Sequence, residues 1–474
     1  MSRVLLLASL LAGVGCRGAA APPATRPNVL LVVIDTLRAD RLGVYGNTRG
    51  LTPFLDALAA RGYVVRRARA QAPWTNPSVA SILTSRYQSQ HGVVDYRSVL
   101  PAAELTLAEV LKADGYATAA FSSNGLIGES LGFGQGFDRF EAHLLVTGDD
   151  PTYLRIPVRA DRIGAEALAW LDGVRRDGPA KAPIFLYLQL MEPHSPYAPP
   201  PALLERVRGS APPVDLRRAS EAMYIDTGTP VGAVELDEIR DAYDASVLAV
   251  DEALSAFFAA LEARGFFENA IVVVTADHGE EFQEHGGRGH GKTLFDEAIH
   301  VPLLVLATGR AGSGVVERLV SSVDVAPTIL ELAGLPVPSR FAGVSFAADM
   351  NAGMWSRLRR ALGRLAGRGP APASYSELLA PPGEESARGT GHERALVLDD
   401  LKLVRWRDGE QRFYDLEVDP GEQEPNIVED PDRARLEGRL AEVQAHAERD
   451  PSPAEVQMPD ARTREALEAL GYVQ

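Results

Sequence analysis

Two patterns of polarity alternate along the chain. Continuous apolar, β-branched runs recur as NVLLVVI from Asn28, ATAAFSS from Ala117, IFLYLQLM from Ile184, IVVVTA from Ile271 and VPLLVLA from Val301. A run that is apolar at nearly every position suits a strand buried on both faces of a parallel sheet. Helical patterns lie between the runs, such as TPFLDALAARG from Thr52 and the stretch 236–265. Alternation of this kind predicts a wound, mostly parallel α/β sheet with helices on both faces. The character changes late in the chain. LKLVRW and QRFYDL flank the turn at Asp408-Gly409 and read as a hairpin. A polar helix is expected from about Asp432 to Asp450, and TREALEALGY reads as a short last helix stopped by Gly471. Residues 374–474 therefore read as a small antiparallel subdomain with helix, and residues 27–373 as the main domain.

Two segments stand apart. Residues 209–235 mix proline, glycine and both charges, and read as a rim or lid loop. Residues 355–368, WSRLRRALGRLAGR, carry five arginines and no acid. They read as an exposed helix face, the alternative being a contact with anionic lipid or substrate. At the N-terminus, Arg3 precedes the twelve-residue run VLLLASLLAGVG, which ends at Cys16. The run is too short to span a bilayer and suits the core of a signal peptide over residues 1–16, which implies export to the periplasm or cell envelope. Cys16 is the sole cysteine, so an internal disulfide is excluded. Its place after the run matches a lipoprotein attachment point, a tether to the membrane. A plain signal cleaved near Ala19 to Ala21 is the other reading. Residues 17–26 then form a Pro/Ala tether.

Composition changes the picture little. A chain of 474 residues with 46% hydrophobic and 24% charged residues is ordinary for a globular protein. The net charge of −16 excludes a nucleic-acid partner, because phosphate backbones demand a basic surface.

Ligands of open parallel sheets bind beyond the carboxyl ends of the strands. Asp35 follows the first run there. Glu192 and His194 follow the third, and Asp277 and His278 follow the fourth, with His285, His290 and Lys292 close behind. Singly, each has a plain reading as a turn or surface residue. Together, three strands aim carboxylates and imidazoles at one edge, a donor set that suits Zn²⁺ or Mn²⁺. The stretch PWTNPSVASILTSRYQSQHG adds a helix with Pro77 in its first turn and Thr75 at or just before its N-terminus. An anion would be held there by the positive end of the helix dipole. On local sequence alone, a plain N-cap role is the better account of Thr75.

In order, PNVLLVVIDTLRADRLGVYG, PWTNPSVASILTSRYQSQHG, GYATAAFSSN, GFGQGFDRF, MEPHSPYAPP, TADHGEEFQEHG, GHGKTLFDEAIHVPLLV, SVDVAPTILELAGLP and FYDLEVDPGE resemble the sulfatase family, within the alkaline phosphatase superfamily. The resemblance implies a metal-dependent esterase fold with a small C-terminal subdomain. It implies that Asp35, Asp277 and His278 bind the metal, that Thr75 stands at the nucleophile, and that His194 contacts the substrate anion. His290 falls near a position where sulfatases often hold a lysine. Thr36, Glu192, His285 and Lys292 are left as supporting residues or ligands of a second metal.

The chain departs from the family at telling places. Sulfatases convert Cys or Ser at the nucleophile to formylglycine, and Thr75 is neither. Their arginine four residues on is Val79 here, their second aspartate is Thr36, and Ser122, Ser123 and Asn124 stand near where Gly-Lys-Trp-His is expected. A threonine bound to a metal through its own oxygen resembles the nucleotide pyrophosphatases, lipoteichoic acid synthases and phosphoethanolamine transferases. The expectation is an exported hydrolase or transferase of phosphate or sulfate esters using Thr75. Zn²⁺ or Mn²⁺ is favoured, with Ca²⁺ or Mg²⁺ as further options. A small anionic ester, or a glycan- or lipid-linked one, is the substrate. A true sulfuric ester hydrolase with unmodified threonine, and a non-catalytic binder of anionic glycans, are the rivals.

Overall fold

The computed structural model describes residues 26–143, 145–146, 156–177, 182–209, 211–224, 231–309, 312–350, 372–379, 393–453 and 455–457. The apolar N-terminal run, Cys16, most of the tether, the arginine-rich stretch 355–368 and the expected last helix lie outside these residues. Among the described residues no helix is long and apolar enough to cross a membrane.

The apolar runs form the strands expected of them. In chain order the main strands are β1 (Asn28–Ile34), β2 (Tyr63–Val65), β3 (Ala117–Ser122), β4 (Arg139–Ala142), β5 (Ile184–Leu190) and β6 (Ala270–Ala276). A short hairpin follows, β7 (Glu281–Phe282) and β8 (Arg288–Gly289), then β9 (Leu303–Ala307) and β10 (Gly314–Val316). The eight-stranded sheet has the order β10-β2-β9-β6-β1-β5-β3-β4. The helices are α1 (Pro53–Arg61), α2 (Thr75–Thr84), α3 (Ala160–Asp177), α4 (Leu216–Tyr224), α5 (Ala233–Glu262), the single turn α6 (Asp296–Ile299), α7 (Val325–Leu332) and, in the C-terminal part, α8 (Asp430–Ala447). Helices α1, α3 and α5 pack together in one layer, and α2 and α7 in another. Val29 to Ile34 and the matching stretches of β5 and β6 are fully buried, as their position at the centre of the sheet requires. Each such Val, Leu or Ile contributes about 1.5–3 kcal/mol relative to exposure.

From β6 through β1, β5 and β3 to β4 every pairing is parallel. This brings the carboxyl ends of β1, β5 and β6 to one edge. The run from Val301 behaves differently: β9 lies antiparallel to β6. The chain leaves β6 at the carboxyl edge, makes the small hairpin there and never crosses back, so it must re-enter the sheet downwards. Segment 209–235 also departs from the expected loop, because it contains α4. Ala219 and Met223, spaced i and i+4, are buried on one side of that helix.

The C-terminal part is an antiparallel meander of β11 (Ala373–Leu378), β12 (Glu393–Leu398), β13 (Leu401–Arg405) and β14 (Gln411–Asp415). The expected hairpin is β13 and β14. Alternation divides its side chains between two cores. Leu396, Leu398, Leu403 and Phe413 join Leu436 and Leu440 of α8. Ala395, Val404 and Tyr414 face the core of the main domain.

Lys402 lies on that second face and is fully buried. Its ammonium is 3.0 Å from Asp296 Oδ1 and 2.7 Å from Glu422 Oε1. Arg69 adds a second cation 2.6 Å from Asp296 Oδ2. Burial works against the Asp296 charge, but Arg69 and Lys402 outweigh it and hold its pKa well below the usual carboxylate range. Removing one partner from a buried set of charges costs far more than removing a surface pair, because the remaining charges keep their desolvation penalty. Lys402→Met is therefore expected to lower stability by about 3–5 kcal/mol, read as a shift of the urea midpoint at constant slope. A midpoint unchanged from wild type would show that the cluster contributes nothing to joining the two parts.

Candidate active site

The site lies where β1 and β6 end side by side. Asp35 follows β1 and Asp277 follows β6, and both are fully buried. Asp35 Oδ2 accepts from Asn124 Nδ2 at 2.5 Å, while Oδ1 lacks a well-formed donor among the described residues. Asp277 Oδ1 accepts from the backbone N–H of His278 at 2.9 Å and of Thr36 at 3.3 Å, and Oδ2 accepts from Gln189 Nε2 at 3.3 Å. Gln189 is itself fixed by the Tyr187 hydroxyl. His278 Nε2 lies 3.5 Å from Asp35 Oδ1 and 3.8 Å from Asp277 Oδ1. Its other nitrogen, Nδ1, faces the Gly279 carbonyl at 2.9 Å. A carbonyl accepts only, so the proton sits on Nδ1 and the Nε2 lone pair faces the carboxylates.

Local conformation sets these positions. Thr36 has φ of 56°, a left-handed conformation that costs a β-branched residue roughly 1–3 kcal/mol. The buried Tyr243 of α5 holds the turn, donating to the Thr36 carbonyl at 2.7 Å and accepting from Arg38 N–H at 3.1 Å. Glycine is required at 279 by close approach. A Cβ there would stand 2.0 Å from the Glu297 carbonyl oxygen.

Thr75 is the first residue of α2, and the cap position falls to Trp74, whose side chain makes no cap bond. The N-cap role is thus not what Thr75 performs. Its hydroxyl lies 3.3 Å from His278 Nε2 and near enough to Asp35 to offset a little of the rise that burial imposes on that carboxyl. Ser78, one turn on, donates to the Asp277 carbonyl at 2.5 Å and ties the helix to the end of β6.

Two further imidazoles complete the site. His290 Nδ1 meets Glu280 Oε1 at 2.9 Å, and its ring centroid lies 4.5 Å from that of His278 and 5.0 Å from that of His194. His194 turns Nδ1 to the Ser195 carbonyl. Glu280 is fully buried, and Arg38 holds its carbonyl at 2.8 Å from behind. The remaining sequence candidates lie elsewhere. Glu192 accepts from the Ala160 N–H at 2.6 Å at the start of α3, where burial pushes its pKa up to about 7. Lys292 donates to the Arg288 carbonyl at 3.1 Å. His285 is engaged with Glu297 at 2.6 Å. Gln189 and Glu280 are not among the sequence candidates, and Asn124 stands there only as a departure from the family pattern, with no role assigned. Asn124 follows an apolar run as Asp35 does, and Gln189 is an amide inside an otherwise apolar strand; either signal would have found them.

The electrostatics favour a bound cation. Burial, and next the charge of Asp277, push the Asp35 pKa well above the usual carboxylate range; burial pushes Asp277 up too. Burial and the neighbouring His290 hold His278 neutral, its pKa well below the ordinary value. Two adjacent buried carboxylates ionise together only with a counter-charge. Two carboxylate oxygens and a neutral imidazole nitrogen, all within 4.8 Å of one another, form a cluster able to hold a metal ion, with the Thr75 hydroxyl beside it.

Comparison with known proteins agrees with this architecture. A family model described as Sulfatase matches residues 27–335. The chain is 26% identical over 443 residues to an ulvan-active sulfatase of Formosa agariphila, covering 88% of this chain and 80% of that one. A structure solved in complex with its substrate D-glucosamine-2-N,6-O-disulfate superposes with a TM-score of 0.71 at 21% identity, covering 90% of this chain and 99% of the other. The phosphonate monoester hydrolase of Agrobacterium radiobacter superposes with a TM-score of 0.69 at 22% identity, covering 89% and 96%. At these identities the two structures speak for a shared fold.

A cation in this cluster should stabilise the fold by linkage, by about 4 kcal/mol at a thousandfold excess over its dissociation constant. Calorimetry is expected to show Mn²⁺ or Zn²⁺ raising the thermal midpoint of the wild type but not of Asp277→Asn. Equal shifts in both would place the ion elsewhere.

Proposed function

Because the chain belongs to the sulfatase family of ester hydrolases, we propose that it cleaves phosphate or sulfate esters with unmodified Thr75 as the nucleophile. The observation that carries this reading is the Thr75 hydroxyl at the N-terminus of α2, 3.3 Å from His278 Nε2 and beside Asp35. Asp35, Asp277 and His278 would hold a divalent cation, with the Thr75 oxygen as a fourth donor. When bound, such an ion supplies Lewis-acid chemistry, which makes a hydroxyl ionisable near neutral pH.

The side chains divide the remaining work. Thr75 Oγ1 attacks phosphorus or sulfur in line and gives its proton to His290 Nε2, so that one bond to Oγ1 forms as the bond to the ester oxygen breaks. The positive end of α2 faces the non-bridging oxygens, where charge must be stabilised. The leaving alkoxide takes that proton from His290, while His194, held neutral by burial with Nδ1 on the Ser195 carbonyl, lines the site beside it. Glu280 fixes the His290 ring through Nδ1 and so sets its tautomer. Water or an acceptor alcohol then attacks the Thr75 ester and gives up its proton to the same imidazole, which passes it to the departing Thr75 Oγ1 and so restores the hydroxyl. Val79, where the family carries arginine, is fully buried, so charge stabilisation falls to the groups just named.

A second reading keeps the nucleophile and narrows the substrate to a sulfated glycan. It is favoured by the likeness to the ulvan-active sulfatase. A non-catalytic binder accounts poorly for an intact set of four donors around one point. The apolar N-terminal run supports export, with Cys16 as the membrane tether.

Thr75→Ala is expected to lower kcat by at least about a thousandfold while metal content is retained. Rates with p-nitrophenyl sulfate, p-nitrophenyl phosphate and bis-p-nitrophenyl phosphate select the ester class. Undiminished turnover of these substrates by Thr75→Ala would remove the assignment.

A further inference from the structure

Behind the site lies a second group of ionisable side chains, Glu281, His285 and Glu297, close enough together to suggest another metal. The hydrogen bonds argue otherwise. His285 Nδ1 faces Glu297 Oε1 at 2.6 Å and Nε2 faces the Glu422 carbonyl at 3.1 Å. Carboxylate and carbonyl oxygens both accept, and the Gln423 amide 3.3 Å from Nε2 turns its two protons to the Gly421 and Glu284 carbonyls, so both ring nitrogens carry protons and neither keeps a lone pair for a cation. Burial opposes that charge, but Glu297 outweighs it and raises the His285 pKa. The ring also stacks on Phe295, with centroids 3.6 Å apart and planes 6° from parallel.

The place of His285 gives this clamp a purpose. It sits in the turn of the β7–β8 hairpin, whose ladder has only two residue pairs. A hairpin that short cannot hold its own pose in water. Yet Glu280 immediately precedes it and His290 immediately follows it, so its pose fixes their 2.9 Å contact. The far side of the clamp is also rigid. Glu422 has φ of 54°, accepts the Asp296 N–H at 2.6 Å through Oε2, and pairs with buried Lys402 through Oε1 at 2.7 Å. Gln423 adds a bond from Nε2 to the Glu284 carbonyl at 3.3 Å.

We propose that His285 is a positioning residue, tying the hairpin between Glu280 and His290 to Glu422 of the C-terminal subdomain and so setting where the His290 imidazole stands. The C-terminal subdomain thereby becomes part of the catalytic apparatus without touching substrate. The inference rests on the proton-transfer role given to His290 above.

Two substitutions test it in the full chain. His285→Phe keeps a ring to stack on Phe295 but donates nothing. His285→Gln keeps an amide donor able to reach the Glu422 carbonyl. Steady-state kinetics on the best aryl ester and hydrogen–deuterium exchange of residues 280–291 are read together. His285→Phe is expected to lower kcat about tenfold or more with KM changed less than about threefold, since misplacing a catalytic group acts on the chemical step. The hairpin amides should exchange at least about tenfold faster, with β1 and β6 unchanged. His285→Gln should recover most of both. Wild-type kcat in His285→Phe, with or without faster exchange, overturns the proposal, as does a loss of rate with unchanged hairpin exchange. If the wild type turns over none of the esters, the functional reading fails by itself, and the exchange data alone decide whether the clamp exists.

Discussion

Two carboxylates buried side by side govern this molecule. Asp35 and Asp277 stand at the ends of neighbouring parallel strands with no exposure to solvent. In that environment each raises the cost of ionising the other. Much of the surrounding structure answers that cost. Asn124, Gln189 and the N–H groups of Thr36 and His278 all donate to the two carboxylates. The left-handed turn at Thr36, held by Tyr243, is what brings one of those donors into place. A divalent cation completes the balance on the proposed reading, and it makes the adjacent Thr75 hydroxyl reactive.

The frame around the pair has two levels of support. Parallel strands β1, β5 and β6 set the distance between Asp35, His194 and Asp277, and their burial makes that distance rigid. The loop that carries His278, Glu280 and His290 has no comparable ladder. It is fastened from outside, by Arg38 behind Glu280 and by the C-terminal subdomain through Asp296, Glu297, Lys402 and Glu422. A buried lysine between two acids is a poor source of net stability but a strong determinant of register, because few other arrangements satisfy it. This explains why the small sheet presents a charge on the face it turns to the main core.

Much of this was legible in the sequence. The apolar runs gave the central strands because a strand covered on both sides has little room for polar residues. The rule that ligands gather at strand carboxyl ends then located Asp35, His194, Asp277 and His278, and the proline in the first turn located the start of α2. The direction of β9 was not legible, since an antiparallel strand buried on both faces carries the same apolar pattern as a parallel one. Nor was α4, whose buried Ala219 and Met223 are too few to stand out among prolines and charges. The supporting residues were the hardest to find. Asn124, Gln189 and Glu280 act through hydrogen bonds to Asp35, Asp277 and His290, and only the fold shows that pairing. Glu192 illustrates the converse: it follows a strand as Asp277 does, yet its carboxylate turns to the first amide of α3.

The central claim is that one cation joins Asp35, Asp277, His278 and Thr75. Anomalous diffraction from a crystal grown with Mn²⁺ or Zn²⁺ tests it most directly. The account requires a single strong peak within bonding distance of both carboxylates, the His278 Nε2 and the Thr75 Oγ1. A peak bound elsewhere, or one at the carboxylates with the Thr75 hydroxyl turned out of reach, would contradict it.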